Sequence, residues 1–107
     1  MGKTYKVEIL TPAQTELEDI AHIHMALSGP NSARNIMDAI YHVMEQLTRF
    51  PMSGPPMPDD QLRSAGYRYI LANKYLVVYR FLGDTVVIYH IVHGATDYPQ
   101  LLKSLLF

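Results

Sequence analysis

No cysteine occurs among the 107 residues, which excludes disulfides and thiolate metal ligands and fits a reducing, cytoplasmic setting. Positive charge is scarce as well. Lysine and arginine number 9 against 10 acidic residues, for a formal net charge of −1. No overall positive field exists to hold a phosphate backbone, so direct sequence-specific DNA binding is not expected. Long apolar runs are missing: none approaches membrane-spanning length, and the opening MGKTYKVEILTP lacks the apolar centre of a signal peptide, so no membrane partner is expected. There is no glycine-rich phosphate loop, nucleophile elbow or pair of neighbouring carboxylates, and no small-molecule cofactor is expected. Histidine does not fill the gap. His22 and His24, two apart on a helix, diverge, and His90 and His93, three apart on a strand, face opposite ways unless a bulge intervenes. No metal site is expected from them.

The richest stretch is the C-terminal GYRYILANKYLVVYRFLGDTVVIYHIVHGATDYPQLLKSLLF. Valine, isoleucine, tyrosine and phenylalanine dominate three segments, Tyr67–Ala72, Tyr75–Leu82 and Thr85–His93, as strands of a pleated and largely buried surface require. Asn73-Lys74 and Gly83-Asp84 separate them, and both pairs tolerate hairpin geometry. Near the N-terminus, Tyr5–Leu10 alternates as a short strand. Thr11 reads as an N-cap, with Pro12 at the first helical position and Gln14 completing a capping box. That helix runs to about Leu27, with Leu17, Ile20, Ala21, His24 and Leu27 on one stripe. Asn31 or Ser32 caps a second helix that buries Ala33, Ile36, Met37, Ile40, Met44 and Leu47 at i, i+3, i+4, i+7 spacing.

Residues 51–66, PMSGPPMPDDQLRSAG, hold four prolines and two glycines and read as an ordered surface loop rather than a helix or central strand. The reading is one α+β domain over 1–107, in the order β-α-α-β-β-β: an N-terminal strand, an antiparallel helix hairpin packed on an antiparallel sheet, and a short C-terminal helical tail.

Alternation places Tyr67, Tyr69, Leu71, Tyr75, Val77, Tyr79 and Phe81 on one sheet face, and Arg68, Ile70, Leu76, Val78, Arg80 and Leu82 on the other. Neither face is polar, although helices cover only one. Either the apolar tail Leu101–Phe107 folds over the second face or another polypeptide covers it. On the same parity Arg68 and Arg80 form a small cationic patch, or else bond Asp84, Asp97 or loop carbonyls. Asp97 reads as the cap of the tail helix, His93 as a turn residue, and Tyr75, Tyr79 and Tyr89 as core.

The ordered set Phe50-Pro51, Gly54, Gly66-Tyr67-Arg68, Tyr75, Tyr79-Arg80, Asp84, Val87, His93-Gly94 and Asp97-Tyr98 resembles the RelE/ParE superfamily of type II toxin–antitoxin toxins, and the resemblance covers most of the chain. It implies a plasmid-stabilisation type toxin that inhibits growth and is neutralised by a cognate antitoxin laid into a groove. RelE-like members cleave mRNA in the ribosomal A site with a basic cluster and a tyrosine, in which cations stabilise charge developing on the scissile phosphate. Carried across, Arg68 is retained, but Ile70, Leu76, Ala95 and Thr96 stand where basic residues are expected, and only Tyr98 approximates the tyrosine. ParE-like members poison DNA gyrase and need no nuclease cluster, so the resemblance leans to that side. Ala95-Thr96 departs from the arginines those members often carry there.

The implied target contacts are Arg68, Arg80, His93 and Tyr98. The implied antitoxin contacts are Ile40, Met44, Ile70, Leu76, Val78 and Leu105. The alternatives are a ribosome-dependent endoribonuclease using Arg68 and Tyr98, and a toxin fold without toxicity.

Overall fold

A computed structural model describes residues 2–107. Strand β1 (Lys6–Ile9) leads into helix α1 (Thr11–Ser28), which Gly29 joins to α2 (Pro30–Arg49). Gly29 sits at φ +88°, a region L side chains avoid, and Pro30 then opens α2 where its missing N–H costs no bond. The expected side-chain caps do not form. Leu10 rather than Thr11 occupies the cap of α1, and neither Asn31 nor Ser32 caps α2.

The proline-rich connection contains one helical turn, α3 (Asp60–Ser64), which the sequence reading excluded. Its prolines all precede Asp59, so nothing obstructs the helix once that residue caps it. β2 (Arg68–Ala72), β3 (Tyr75–Leu82) and β4 (Thr85–His93) follow as a meander, and α4 (Tyr98–Leu106) ends the chain.

The sheet order is β1-β4-β3-β2. The meander is antiparallel, whereas β1 runs parallel to β4, so the sheet is mixed at that edge. α1 and α2 pack on one face. Leu17, Ile20, Ile36, Ile40, Met44 and Leu47 meet Ala72, Tyr75, Val77, Tyr79, Val86, Ile88 and Ile91 there. Each such aliphatic side chain contributes roughly 1.5–3 kcal/mol on burial.

The register corrects the face assignment. Ala72 opposes Tyr75, so Ile70 pairs with Val77 and Arg68 with Tyr79, and directly opposed residues share a face. Counting parity straight through the Asn73-Lys74 turn inverted β2 relative to β3. A second irregularity lies on β4: Val78 opposes His90 and Tyr79 opposes Ile88, leaving Tyr89 extra as a bulge.

The second sheet face is covered by the chain itself. Leu76, Val78 and Val92 pack with Met57, Leu62, Tyr67 and Leu102, drawn from the proline-rich connection, α3 and α4. One ion pair ties these covers together. Asp59 Oδ1 accepts the N–H groups of Gln61 and Leu62 at 3.0 and 3.1 Å, while Oδ2 lies 2.8 Å from Lys103 Nζ.

The Lys103 bond first, then the Leu62 N–H, hold the Asp59 carboxyl below the usual carboxylate range. A depressed folded-state value contributes stability that is present above the unfolded-state pKa of about 3.9 and lost as pH falls through the folded-state value. Asp59→Asn should therefore melt below wild type at pH 7, with the gap closing toward pH 3. A gap that is unchanged between those pH values contradicts the pairing.

Candidate functional site

The two arginines of the expected cationic patch lie on opposite sides of the sheet, and both are engaged internally. Arg68 Nη1 donates to the Gly54 carbonyl at 2.8 Å and to that of Met52 at 3.4 Å. These carbonyls belong to the Phe50-Pro51-x-x-Gly54 segment, whose Gly54 N–H donates to the Tyr79 hydroxyl at 3.0 Å. Burial pushes the Tyr79 phenol up, with the Gly54 N–H and Arg68 pulling less strongly the other way, so it stays neutral as an interior strut.

Arg80 lies across two rings, its guanidinium carbon 4.8 Å from the Tyr67 centroid and 5.0 Å from that of Tyr89. Its Nε and Nη2 donate to the Tyr89 hydroxyl at 3.1 and 2.6 Å, and Nη1 to the Ala65 carbonyl at 3.3 Å. The bulge at Tyr89 thus supplies a cradle for Arg80. Loop carbonyls and tyrosines hold the pair, and neither Asp84 nor Asp97 does.

His93 and Tyr98 flank the turn into α4. His93 is exposed; its Nδ1 accepts the Ala95 N–H at 3.0 Å, and its carbonyl accepts from Thr96 at 3.0 Å. Tyr98 opens α4 and packs half-buried against the second-face cluster. Asp97 occupies the cap position without a side-chain bond. Arg68, paired with Tyr79 on the α1–α2 side, and Tyr98, on the α4 side, therefore do not converge as ribonuclease partners.

Most of the expected antitoxin contacts are interior. Ile40, Met44, Leu76 and Val78 are buried, and Ile70 packs against the α1–α2 core. They lie inside the folded chain because the helices cover one face and α4 the other. Leu105 alone among the six is open, at 52% exposure.

Two constellations escaped the sequence reading. His24 of α1 bonds Ser32 Oγ of α2 through Nδ1 at 3.2 Å and the Tyr75 hydroxyl of β3 through Nε2 at 3.0 Å. The Tyr75 ring also meets that of His93 edge-on at 5.3 Å, and burial pushes the Tyr75 phenol up. The one sequence signal was the place of His24 on the apolar stripe of α1. Its partner lies 51 positions away. Elsewhere Glu16 accepts the Ile91 N–H at 3.0 Å and lies 3.1 Å from His90 Nδ1, closing the β4 edge beyond the last β1 pairing.

Among the described residues no group of three or more His, Cys, Asp or Glu converges as a metal site, and no helix is long and apolar enough to cross a membrane. An apolar cleft of about 530 Å³ opens between Tyr5, Phe50, Met52 and Phe81, where Phe50 is 63% exposed.

Comparison with known proteins agrees with this architecture. The family model described as the ParE toxin of type II toxin–antitoxin system, parDE, matches residues 7–98. A solved chain of the chromosomal ParDE system from P. aeruginosa is similar with a TM-score of 0.70 at 18% identity, covering 84% of this chain and 96% of that one. A chain of the RelBE2 toxin–antitoxin complex from Mycobacterium tuberculosis is similar with a TM-score of 0.62 at 23% identity, covering 84% and 98%. At these identities the structural likeness speaks to the fold alone. No curated protein sequence matches the chain.

Proposed function

The chain belongs to the ParE toxin family of type II toxin–antitoxin systems, and on that premise we propose that it halts growth by binding DNA gyrase and is held inactive by a cognate antitoxin. The observation that carries this reading is the engagement of both sheet arginines. With Arg68 Nη1 on the Met52 and Gly54 carbonyls at one sheet face and Arg80 between Tyr67 and Tyr89 at the other, the two guanidiniums do not converge on a scissile phosphate. Leu76, at the position where RelE-like enzymes place an arginine, is buried. A phosphodiester-cleaving site needs cations aimed at the developing charge. A binding poison needs only a complementary surface.

His93 and Tyr98, at the mouth of the α4 turn, remain the target contacts of choice from the sequence set. The apolar cleft around Phe50 and Met52 extends the surface available to a protein target. For the antitoxin, the open side of α4 offers Leu101, Leu105 and the adjoining Phe107, a short apolar row suited to a helix or strand laid alongside.

The test is a supercoiling assay with purified gyrase, run beside a ribosome-programmed mRNA cleavage assay. Inhibited supercoiling with intact mRNA supports the reading. Cleaved mRNA with normal supercoiling, abolished by Tyr98→Phe, establishes the endoribonuclease instead, since a catalytic group acts in the transition state and its loss costs orders of magnitude.

A further inference from the structure

The two edges of the sheet are finished differently. At the β2 edge the proline-rich connection supplies partners: the Tyr69 N–H donates to the Pro55 carbonyl at 3.1 Å, and the Met57 N–H to the Tyr67 carbonyl at 3.0 Å. β1 forms the other edge. In its parallel ladder Lys6 lies opposite Thr85 and Glu8 opposite Val87. The Lys6 N–H donates to the Asp84 carbonyl at 3.3 Å and the Leu10 N–H to the Ile88 carbonyl at 3.0 Å. The even-numbered residues of β1 therefore turn their main-chain groups toward β4, and Val7 and Ile9 turn theirs outward. No other backbone group bonds those two among the described residues. Tyr5, just before the strand, donates to the Thr48 carbonyl at 2.7 Å, which limits the open edge to Val7 and Ile9.

An open edge is a template for another strand, and proteins commonly guard it with a lysine. Here Lys6 is accompanied by Glu8. Both side chains are exposed, alternation puts them on the same sheet face, and neither makes an ion pair among the described residues. The order Lys6-Val7-Glu8 is self-complementary. Two copies of β1 running antiparallel about a two-fold axis through Val7 set the lysine of each against the glutamate of the other. Shifting the axis to Lys6 or to Glu8 sets like charges face to face instead. The charges thus select one register.

We propose that β1 pairs in this register with β1 of a second copy, joining the two sheets into one. Val7 exchanges both main-chain bonds with its copy, and the Ile9 N–H reaches the Tyr5 carbonyl across the axis. Lys6 and Glu8 then form non-hydrogen-bonded pairs, the sites where opposed side chains approach most closely. On the α1–α2 side, half-buried Val7 and Ile9 gain Val7 and Tyr5 of the second copy as neighbours. The contact is isologous and closes at two copies. It is also small, so the dimer is a weak one.

The experiment is sedimentation equilibrium of the full chain, alone and at low salt, from ~10 μM to ~1 mM, the range for a small interface. A reversible monomer–dimer equilibrium is expected. Lys6→Glu and Glu8→Lys each turn two attractive pairs into repulsive ones, so each should weaken the dimer at least about tenfold. Both sites are exposed, so melting at dilute concentration should not move. The double variant Lys6→Glu, Glu8→Lys should recover the dimer, and the two single variants mixed in equal amounts should pair with each other.

A chain that stays monomeric at the highest concentration overturns the proposal. A dimer indifferent to both single substitutions places the contact on another surface, and a double variant that fails to recover removes the register; either result overturns it as well. So does a monomer whose Val7 amide is protected from hydrogen exchange only when the cognate antitoxin is added, which gives this edge to the antitoxin.

Discussion

Gly54→Ala is expected to destabilise the fold by about 3 kcal/mol, at the upper end of the usual cost of overpacking a tight interior. A Cβ at this position would stand 2.3 Å from the Tyr69 carbonyl oxygen and 2.7 Å from the Tyr79 hydroxyl. The first neighbour is backbone of β2 and the second is a fully buried ring, so neither can yield without moving the sheet. The same shift would pull the Gly54 N–H off Tyr79 and the Gly54 carbonyl off Arg68. For a domain of this size the loss corresponds to a fall of roughly 15 °C in melting temperature. A fall of only one or two degrees would show that the Phe50–Gly54 segment moves aside freely, and that Arg68 is not held as described.

Leu102→Ala should cost about 3 kcal/mol if α4 remains docked, as truncating a fully buried leucine does. The helix has a second course. It is joined to the rest of the chain by an exposed turn, so it can lift and cap the loss at its own docking free energy. The expected result is therefore enhanced binding of a hydrophobic dye and faster proteolysis after residue 98, as Leu76, Val78 and Val92 lose their cover. The α1–α2 side keeps its core. Unchanged dye binding and unchanged stability together would contradict the role of α4 as the cover of the second face.

Much of this was legible in the amino-acid order. The three meander strands and the helix hairpin follow from periodicity and from turn residues at fixed places, and the resemblance rests on the ordered motifs from Phe50-Pro51 to Asp97-Tyr98. Boundaries moved by a residue or two, as at Thr11, where hydroxyl chemistry suggested a cap that Leu10 occupies. The larger errors have one physical source, which is that pairing is not written locally. A two-residue turn reverses which residues share a face, so Arg68 and Arg80, which alternation alone puts together, lie on opposite sides of the sheet. The bulge at Tyr89 and the cradle it makes for Arg80 depend on strand registry that composition cannot show. His24 meeting Tyr75 depends on how α1 crosses β3. Of the residues expected to meet an antitoxin, Ile40, Leu76 and Val78 are apolar enough for an interface, and the fold uses them inside.

The most direct test of the account is pulse-labelling of DNA and protein synthesis in bacteria during the first minutes after this chain is induced alone. The account predicts that DNA synthesis stops while translation continues. Translation stopping first, with DNA synthesis following, would contradict it and return Arg68 and Tyr98 to consideration as catalytic residues.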